Sequence, residues 1–479
     1  MSTDTSHDTT HDTETMPVSA EVRESMHSAE YYLRQDRGHI PDALFEQSTK
    51  DLGNEPLDKS VFVRREFHEV EKTRLWKRVW QMACRENDIP EVGDRVVYDI
   101  IDQSIVLVRS APDEIKAFHN TCMHRGTRLV APEVGDPTSG KQFTCSFHKW
   151  SYNLDGSIKQ IPCRWDFPAV RDEQVHLSEV QVGTWNGWVF INMDPRCQPF
   201  EEFLGETIPR HFLSWPRERT AKVAHIGKVI PCNWKLAAEA FLEIYHIVAT
   251  HPNFLPYSAD CNAQYDFWGL HARMLGIVGV PSPHLGEIED PQMIVDGMLG
   301  DAVGNMFGES EFDMPQLAEG ATEMDARQLC ADFVRQAMGA QFGVDFSGAS
   351  DSEMLDATQY FMFPNFIPWA GNAFPINYRV RPNGDDHESS IFEVLVLSFM
   401  PEGAQLPKDS QLKMTPPDEP WGAVPELGGL GPIVDQDMVN LVKFQRGIKS
   451  DGITHVQLAN YQERNIRNLH QNLERFVRE

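Results

Sequence analysis

No stretch of this 479-residue chain offers eighteen uninterrupted apolar residues, so no membrane-spanning helix is expected. Cysteine is scarce as well: eight in the whole chain, far too few for a disulfide-stapled secreted scaffold. Six of them (Cys84, Cys163, Cys197, Cys232, Cys261 and Cys330) are scattered singly and read as small core residues. Positive charge is in deficit, with 43 Lys and Arg against 71 Asp and Glu and a net charge of −28. That excludes ordinary nucleic-acid binding, whose affinity comes from Lys and Arg neutralising phosphates, and equally disfavours an anionic membrane surface. A basic partner or a cationic substrate is compatible, although acidity of this kind mostly serves solubility. The first twenty residues contain no apolar run, so neither a signal peptide nor an anchor is expected, and the protein is expected to be soluble and cytoplasmic.

What is present is ordinary for a globular protein, 41% hydrophobic and 10% aromatic, and long enough for two or three cores. Residues 1–28 read as a disordered acidic tail, with His7 and His11 as solvated side chains rather than ligands. Residues 29–84 read as a helical part, in which 60–80 repeats apolar residues at helical spacing. From 85 to 195 the runs Val96–Ile100, Ser104–Val108 and Trp188–Ile191 are short, β-rich and broken by turn residues, predicting a small all-β module. The passage Asp194–Pro199 closes it. Residues 196–479 form a second unit with strands at Lys222–Ile230, Gln359–Phe363, Ile376–Arg381 and Ser390–Met400 and a helix over about 433–449. The Gly- and acid-rich segment 280–350 reads as surface excursions around a cavity, with one helical run near Met324–Met338. The expected class is α+β, and no internal repeat is visible.

Two stretches carry chemistry. The first runs from Asn233 to Pro252 and sets Glu239, Glu243, His246 and His251 among aliphatic and aromatic residues. An apolar segment carrying two carboxylates needs compensating partners. Glu243 and His246, three apart, share one face of a helix. His251 follows five residues after His246, off that face, but Pro252 pushes it out of helical geometry and allows it to swing back. Two imidazoles converging beside carboxylates suit iron or zinc; the alternative is a buried helix whose histidines only satisfy hydrogen bonds.

The second is Cys122-Met123-His124-Arg125-Gly126, followed after twenty residues by Cys145-Ser146-Phe147-His148-Lys149-Trp150. Two thiolates and two imidazoles fit a structural zinc or a Rieske [2Fe–2S] cluster. Each clip supplies one Cys and one His, and the first has a single residue between its ligands. Both features favour the cluster over zinc, whose clips pair like with like at wider spacing.

With both motifs in this order, about a hundred residues apart, the chain resembles the large (α) subunit of Rieske non-heme iron oxygenases, the aromatic-ring-hydroxylating dioxygenase family. The resemblance runs from about Ser60 to Gly447. It implies a Rieske domain joined to a catalytic domain with an antiparallel sheet wrapped by helices, of helix-grip type. It further implies that Cys122 and Cys145 hold one cluster iron, His124 and His148 the other, and His246, His251 and Asp437 a mononuclear Fe(II). Asp437 lies in the segment Val434–Gly447, which resembles the family's late helix ending in Q-R-G. It also falls on an apolar stripe formed by Val434, Met438, Leu441, Phe444, Gln445 and Ile448; the alternative is that Asp435 or Asp437 only favours a helix start. By resemblance Glu243 bridges electron transfer between subunits, contacting His148 of a neighbour and its own His246, within a homotrimer with or without a small β subunit. Glu239 matches a supporting acid, more often a structural one. Lys149 stands where the family usually has Gly.

The implied activity is hydroxylation of a small organic substrate with O2, first of all cis-dihydroxylation of an aromatic ring. The second choice is monooxygenation or demethylation, including of a quaternary ammonium compound, and a Rieske electron-transfer protein is the rival outside the enzymes. The chain has neither a G-x-G-x-x-G turn nor a four-cysteine ferredoxin run, so electrons from NAD(P)H must arrive through a separate reductase and, in some systems, a ferredoxin. Phe241, Leu242, Val248, Phe361 and Phe363 are candidate pocket walls, equally explicable as core.

Overall fold

The computed structural model describes residues 17–136, 138–303 and 314–478. Most of the expected tail, with His7 and His11, lies outside the described residues. Its described end is ordered: the Ser19 hydroxyl accepts from the Val22 amide at 3.2 Å and caps a helix over Ala20–Ser25.

The β-rich runs pair into a six-stranded antiparallel sheet. Its order is Gln81–Arg85, Trp188–Asn192, Glu179–Trp185, Glu114–His119, Gln103–Ala111 and Arg95–Ile100. The sheet thus begins before residue 85, because Gln81–Arg85 pairs with Trp188–Asn192. A short ribbon of Phe143–Thr144, Ser151–Tyr152 and Ile158–Gln160 stands beside it. Over a local core of Val106, Phe118, Phe143, Trp150 and Tyr152 lie the two loops that carry the Cys/His clips. Each loop turns through a left-handed residue: Gly126 at φ 82° in one and Lys149 at φ 64° in the other. Glycine adopts that conformation freely; a lysine does so at a cost.

The larger unit is built on a five-stranded sheet ordered Phe366–Pro368, Ile376–Asn383, Asp386–Phe399, Thr220–Ile230 and Lys413–Met414, antiparallel except for the last pair. A second sheet pairs Ser258–Trp268, His271–Val278 and Ala357–Phe361. The first two of these strands are buried on both faces, although Ala259–Phe267 alternates apolar and polar residues in sequence. The helix expected over 60–80 is interrupted. Arg64 is extended (φ −90°, ψ 126°) between Ser60–Val63 and Arg65–Val70, and the chain then widens into a π-turn over Glu71–Trp76. Segment 280–350 is not a set of surface excursions. Its helix Glu323–Phe342, held by a Thr322/Asp325 capping box and a left-handed Gly343, packs Cys330, Ala331 and Met338 against Ile294, Leu299 and Met354. Fully buried Arg327 on that helix bridges Asp36 and Asp356, tying the N-terminal segment to the core. Helix Leu430–Gly447 crosses the short helices Trp234–Glu239 and Ile247–Thr250, and Arg464–Arg478 packs beside the 258–278 strands.

Two predictions follow from buried or strained groups. His271 is buried with Nε2–H donating to the Phe203 carbonyl at 2.8 Å and Nδ1 accepting from the Phe363 amide at 3.3 Å. The neutral ring is fully satisfied, and burial depresses its pKa to about 4 from 6.5. With the folded value below the unfolded one, its contribution is complete above about pH 6.5 and is lost as pH falls through 4, at most about 3 kcal/mol. Denaturant unfolding at pH 7 and pH 4.5 should show a smaller loss in His271→Gln than in the parent; equal losses would refute the assignment. Lys149→Gly should relieve the left-handed strain and raise stability by about 1 kcal/mol. A thermal melt at or below the parent's would show that the lysine makes a compensating contact.

Candidate active site

The Asn233–Pro252 stretch is not one helix. Asn233 Oδ1 accepts from the Lys235 amide at 3.0 Å and starts a helix that ends at Glu239; a second short helix occupies Ile247–Thr250. The interruption has a cause. Glu243 Oε2 accepts from the His246 backbone N–H at 3.0 Å, and Oε1 takes the same residue's ring Nδ1 at 2.8 Å. At the far end His251 leaves helical geometry before Pro252, with φ −129° and ψ 56°, as the proline predicts. Its Nδ1 is held by Gln436 Oε1 at 2.6 Å.

Both imidazoles therefore turn Nε2 inward, and Asp437 meets them there. Its Oδ1 lies 3.0 Å from His251 Nε2 and 3.7 Å from His246 Nε2, and the three ligand atoms all fall within 4.8 Å of one another. With each Nδ1 proton engaged by an oxygen acceptor, each Nε2 keeps a lone pair, the state a metal ligand requires. This donor set fits a borderline divalent metal such as iron(II). His251 and Asp437 are buried, whereas the His246 side chain is 26% exposed and leaves one side of the group open. Burial opposes charge on His246, but Glu243 and Asp437 outweigh it and raise its pKa.

Neighbouring candidates resolve differently. Asp435 receives the Trp421 and Gly422 amides at 2.8 Å each and stands outside the group. Glu239 pairs with His470 Nε2 at 2.5 Å and anchors the last helix. The apolar stripe is narrower than the sequence suggested: Val434, Asp437, Leu441, Gln445 and Ile448 are buried, but Phe444 is 38% exposed. Phe241, Leu242, Phe361 and Phe363 are core residues. Phe241 stacks on Phe392 and Phe363 on Phe476, and the gap bordered by Phe241, Leu242 and Phe361 is too small for water.

The second donor set gathers on the two loops. The His124 and His148 rings lie 4.7 Å apart, and His124 stacks on Trp150 at 4.8 Å and 6°. Cys122 and Cys145 are buried beneath them. Nδ1 of His124 and Nδ1 of His148 are both buried without a hydrogen-bond partner among the described residues. Two such nitrogens in one place are the mark of a missing ligand rather than of a packed core. The two sulfurs differ: burial raises the Cys122 thiol pKa, whereas that of Cys145 is lowered. Tyr152 Oη lies 3.2 Å from Cys122 Sγ while accepting from the Met123 amide at 3.0 Å. Burial works against charge on Cys145, but the Phe147 and His148 amides outweigh it and lower its pKa. These residues fit a cluster with two sulfur and two imidazole ligands.

Several contributing residues escaped the sequence. Gln436, adjacent to Asp437, and Tyr152, two residues past Trp150, carry no pattern of their own. Glu71 binds Lys235 Nζ at 2.8 Å and Trp234 Nε1 at 3.4 Å, all three side chains buried; it explains Trp-Lys after Asn233, from 160 residues upstream. Tyr378, buried, has its phenol pKa raised by burial and by the charge of Asp437.

Comparison with known proteins finds two domain families in this chain. The Rieske [2Fe-2S] domain family matches residues 79–171, and the ring hydroxylating alpha subunit (catalytic domain) family matches 212–479. Similar curated proteins include the biphenyl 2,3-dioxygenase alpha subunit of Rhodococcus jostii (strain RHA1), 33% identical over 199 residues, and a benzene 1,2-dioxygenase alpha subunit of Pseudomonas putida, 30% identical over 199. These alignments span 40% of this chain and only 43% and 44% of those proteins. The fold is shared with a quaternary ammonium Rieske monooxygenase in complex with L-carnitine (TM-score 0.61, 16% identity, covering 88% of this chain and 95% of the other). It is shared also with naphthalene 1,2-dioxygenase from Rhodococcus sp. bound to indole (TM-score 0.54, 18% identity, 96% and 99%). A Rieske domain followed by a catalytic domain of this kind, the second match alone covering more than half of the sequence, means that the chain belongs to the ring-hydroxylating alpha-subunit family of Rieske oxygenases.

Proposed function

We propose that this chain is the oxygenase component of a Rieske system and that it dihydroxylates an aromatic ring. The observation that carries the reading is the convergence of His246 Nε2, His251 Nε2 and Asp437 Oδ1, two imidazoles and one carboxylate with an open side. Iron(II) held by these three residues would supply O2 activation, and a [2Fe–2S] cluster held by Cys122, Cys145, His124 and His148 would supply single electrons. The protein's own part is positioning. Glu243 and Gln436 fix the two imidazole tautomers, and Asp437 supplies the negative charge that retains the cation. The aromatic substrate class is supported by relatives named for biphenyl and benzene. A quaternary ammonium substrate is the second reading, supported by Glu at 243 with its three-residue step to His246. No helix among the described residues is long and apolar enough to cross a membrane.

For partners we propose a separate NAD(P)H-dependent reductase, with or without a ferredoxin, and a homotrimer in which Glu243 links the iron site to His148 of the next subunit. Exposure supports such an assembly: Tyr245 beside the iron site is 44% exposed, and Met123 and Phe147 beside the cluster are 45% and 61% exposed.

Asp437→Asn should abolish iron retention and turnover while the reduced [2Fe–2S] EPR signal persists, and Asp435→Asn should keep both. Iron retained in Asp437→Asn overturns the ligand assignment. Glu243→Gln should keep both metals yet lose nearly all product formation; parental turnover removes the bridging role. A product screen with a surrogate reductase and a panel of aromatic and quaternary ammonium compounds decides the substrate class.

A further inference from the structure

Among the described residues, one more group of side chains converges on a point, apart from the two donor sets above. Asp260 and Cys261 sit in strand Ser258–Trp268, and His284 lies in a single 3-10 turn at Pro283–Leu285. His284 Nε2 is 3.5 Å from Cys261 Sγ and 3.6 Å from Asp260 Oδ2, and the three ligand atoms lie within 4.8 Å of one another. In sequence Cys261 reads only as a small core residue.

Adjacent residues of a regular strand point to opposite faces, so Asp260 and Cys261 should not share a neighbour. Here the strand is deformed. Ala259 pairs with Ile277 and Gln264 with Leu275, so five steps along one strand oppose two on the other. The surplus residues bulge and bring both side chains to the same imidazole, a use of bulges common beside functional groups.

The chemistry of the point is that of a cation site. Asp260 is wholly buried; Oδ1 accepts from the Ser282 hydroxyl at 2.7 Å, but Oδ2, the oxygen facing His284, has no hydrogen-bond partner among the described residues. The spacing fits a tetrahedral ion. A tetrahedral zinc ion with bonds of about 2.3 Å to sulfur and about 2.0–2.1 Å to nitrogen and oxygen sets sulfur and nitrogen about 3.5 Å apart and nitrogen and oxygen about 3.4 Å apart. Two edges of the triangle, 3.5 and 3.6 Å, match these values.

We propose that Asp260, Cys261 and His284 form a third metal site, one for zinc(II), distinct from the iron site in carrying a thiolate. Three protein donors leave the fourth tetrahedral position to water. The ion clips the bulged strand to the turn at 283–285 and thereby braces the chain that runs on from His251 through Leu255, whose carbonyl is bonded by the Ser282 amide at 2.7 Å. Because a zinc ion needs the thiol deprotonated, binding it releases a proton.

The test uses the full chain with its iron centres loaded, dialysed against zinc chloride and then against metal-free buffer. Elemental analysis should find one zinc per chain in the parent, with the iron content unchanged. X-ray absorption at the zinc edge should show one sulfur at about 2.3 Å. Asp260→Asn and Cys261→Ser should each lose the zinc, while His246→Ala, which alters only the proposed iron site, should keep it. Zinc removal by a chelator should lower the melting temperature of the parent but not that of Cys261→Ser, a comparison that remains valid if Cys261→Ser is itself less stable. Absence of zinc from the parent, zinc retained in Cys261→Ser, or zinc gained at the expense of iron would each overturn the proposal.

Discussion

Asp437 is a buried carboxylate on the apolar face of a helix, and its partners at the buried end are two imidazoles. An anion so placed costs several kcal/mol unless a positive charge answers it. The surrounding structure is arranged to keep it there. Helix Leu430–Gly447 is tied to the 233–251 segment by Gln436 to His251 at 2.6 Å, Asn440 to Thr250 at 3.0 Å, and Gln445 to the Asn233 amide at 2.8 Å, besides the Asp437–His251 contact itself. The 233–251 segment is fixed from its other side by the buried Lys235–Glu71 pair. Each of these contacts joins parts of the chain more than 160 residues apart, so the donor triangle is a product of the whole catalytic unit and not of a local motif.

The cluster loops follow the opposite logic. Their four donors lie within 27 residues, on hairpin-like turns over a small core, and what shapes them is local: a left-handed residue in each loop, amide hydrogen bonds to the sulfurs, and one aromatic floor under His124. A site of this kind depends on turn chemistry more than on long-range packing. The left-handed conformation forced on Lys149 is therefore a cost confined to its own loop.

This difference explains how much was legible before the structure was known. Local features read well: the two Cys/His clips, the β-rich strands of the smaller module, the effect of Pro252 on His251. Asp437 was recognisable from its place on an apolar stripe together with the family resemblance. Gln436, Glu71 and His470 were not, because a single polar residue next to a helix face has no period to betray it and its partner lies hundreds of residues away. Strands 258–278 were missed for a related reason. Ala259–Phe267 alternates apolar and polar residues and Met274–Val280 is an apolar run, so the pattern was present, but the alternation points to one solvated face whereas both faces are buried and Gln264 and Arg273 pair with Asp266 inside the core. The same strand hides the deformation that brings Asp260 and Cys261 together.

Glu243 shows how one side chain settles a local conflict. An uninterrupted helix through residues 234–251 would bond the His246 amide to the carbonyl four residues earlier and would carry His251 away from His246. Glu243 captures that amide with one oxygen and the ring of the same histidine with the other, at 3.0 and 2.8 Å. The backbone bond is given up, the helix stops at Glu239, and a new one starts at Ile247. A second support, the Tyr265 hydroxyl on the Ile244 amide at 3.3 Å, holds the break open from the side of the deformed strand. Reaching both the amide and the ring of a residue three positions on asks for the length of a glutamate; an aspartate is one methylene shorter and better matched to the amide alone. The choice of glutamate thus couples the backbone course of the segment to the tautomer of His246, so that the same carboxylate that breaks the helix also aims the imidazole.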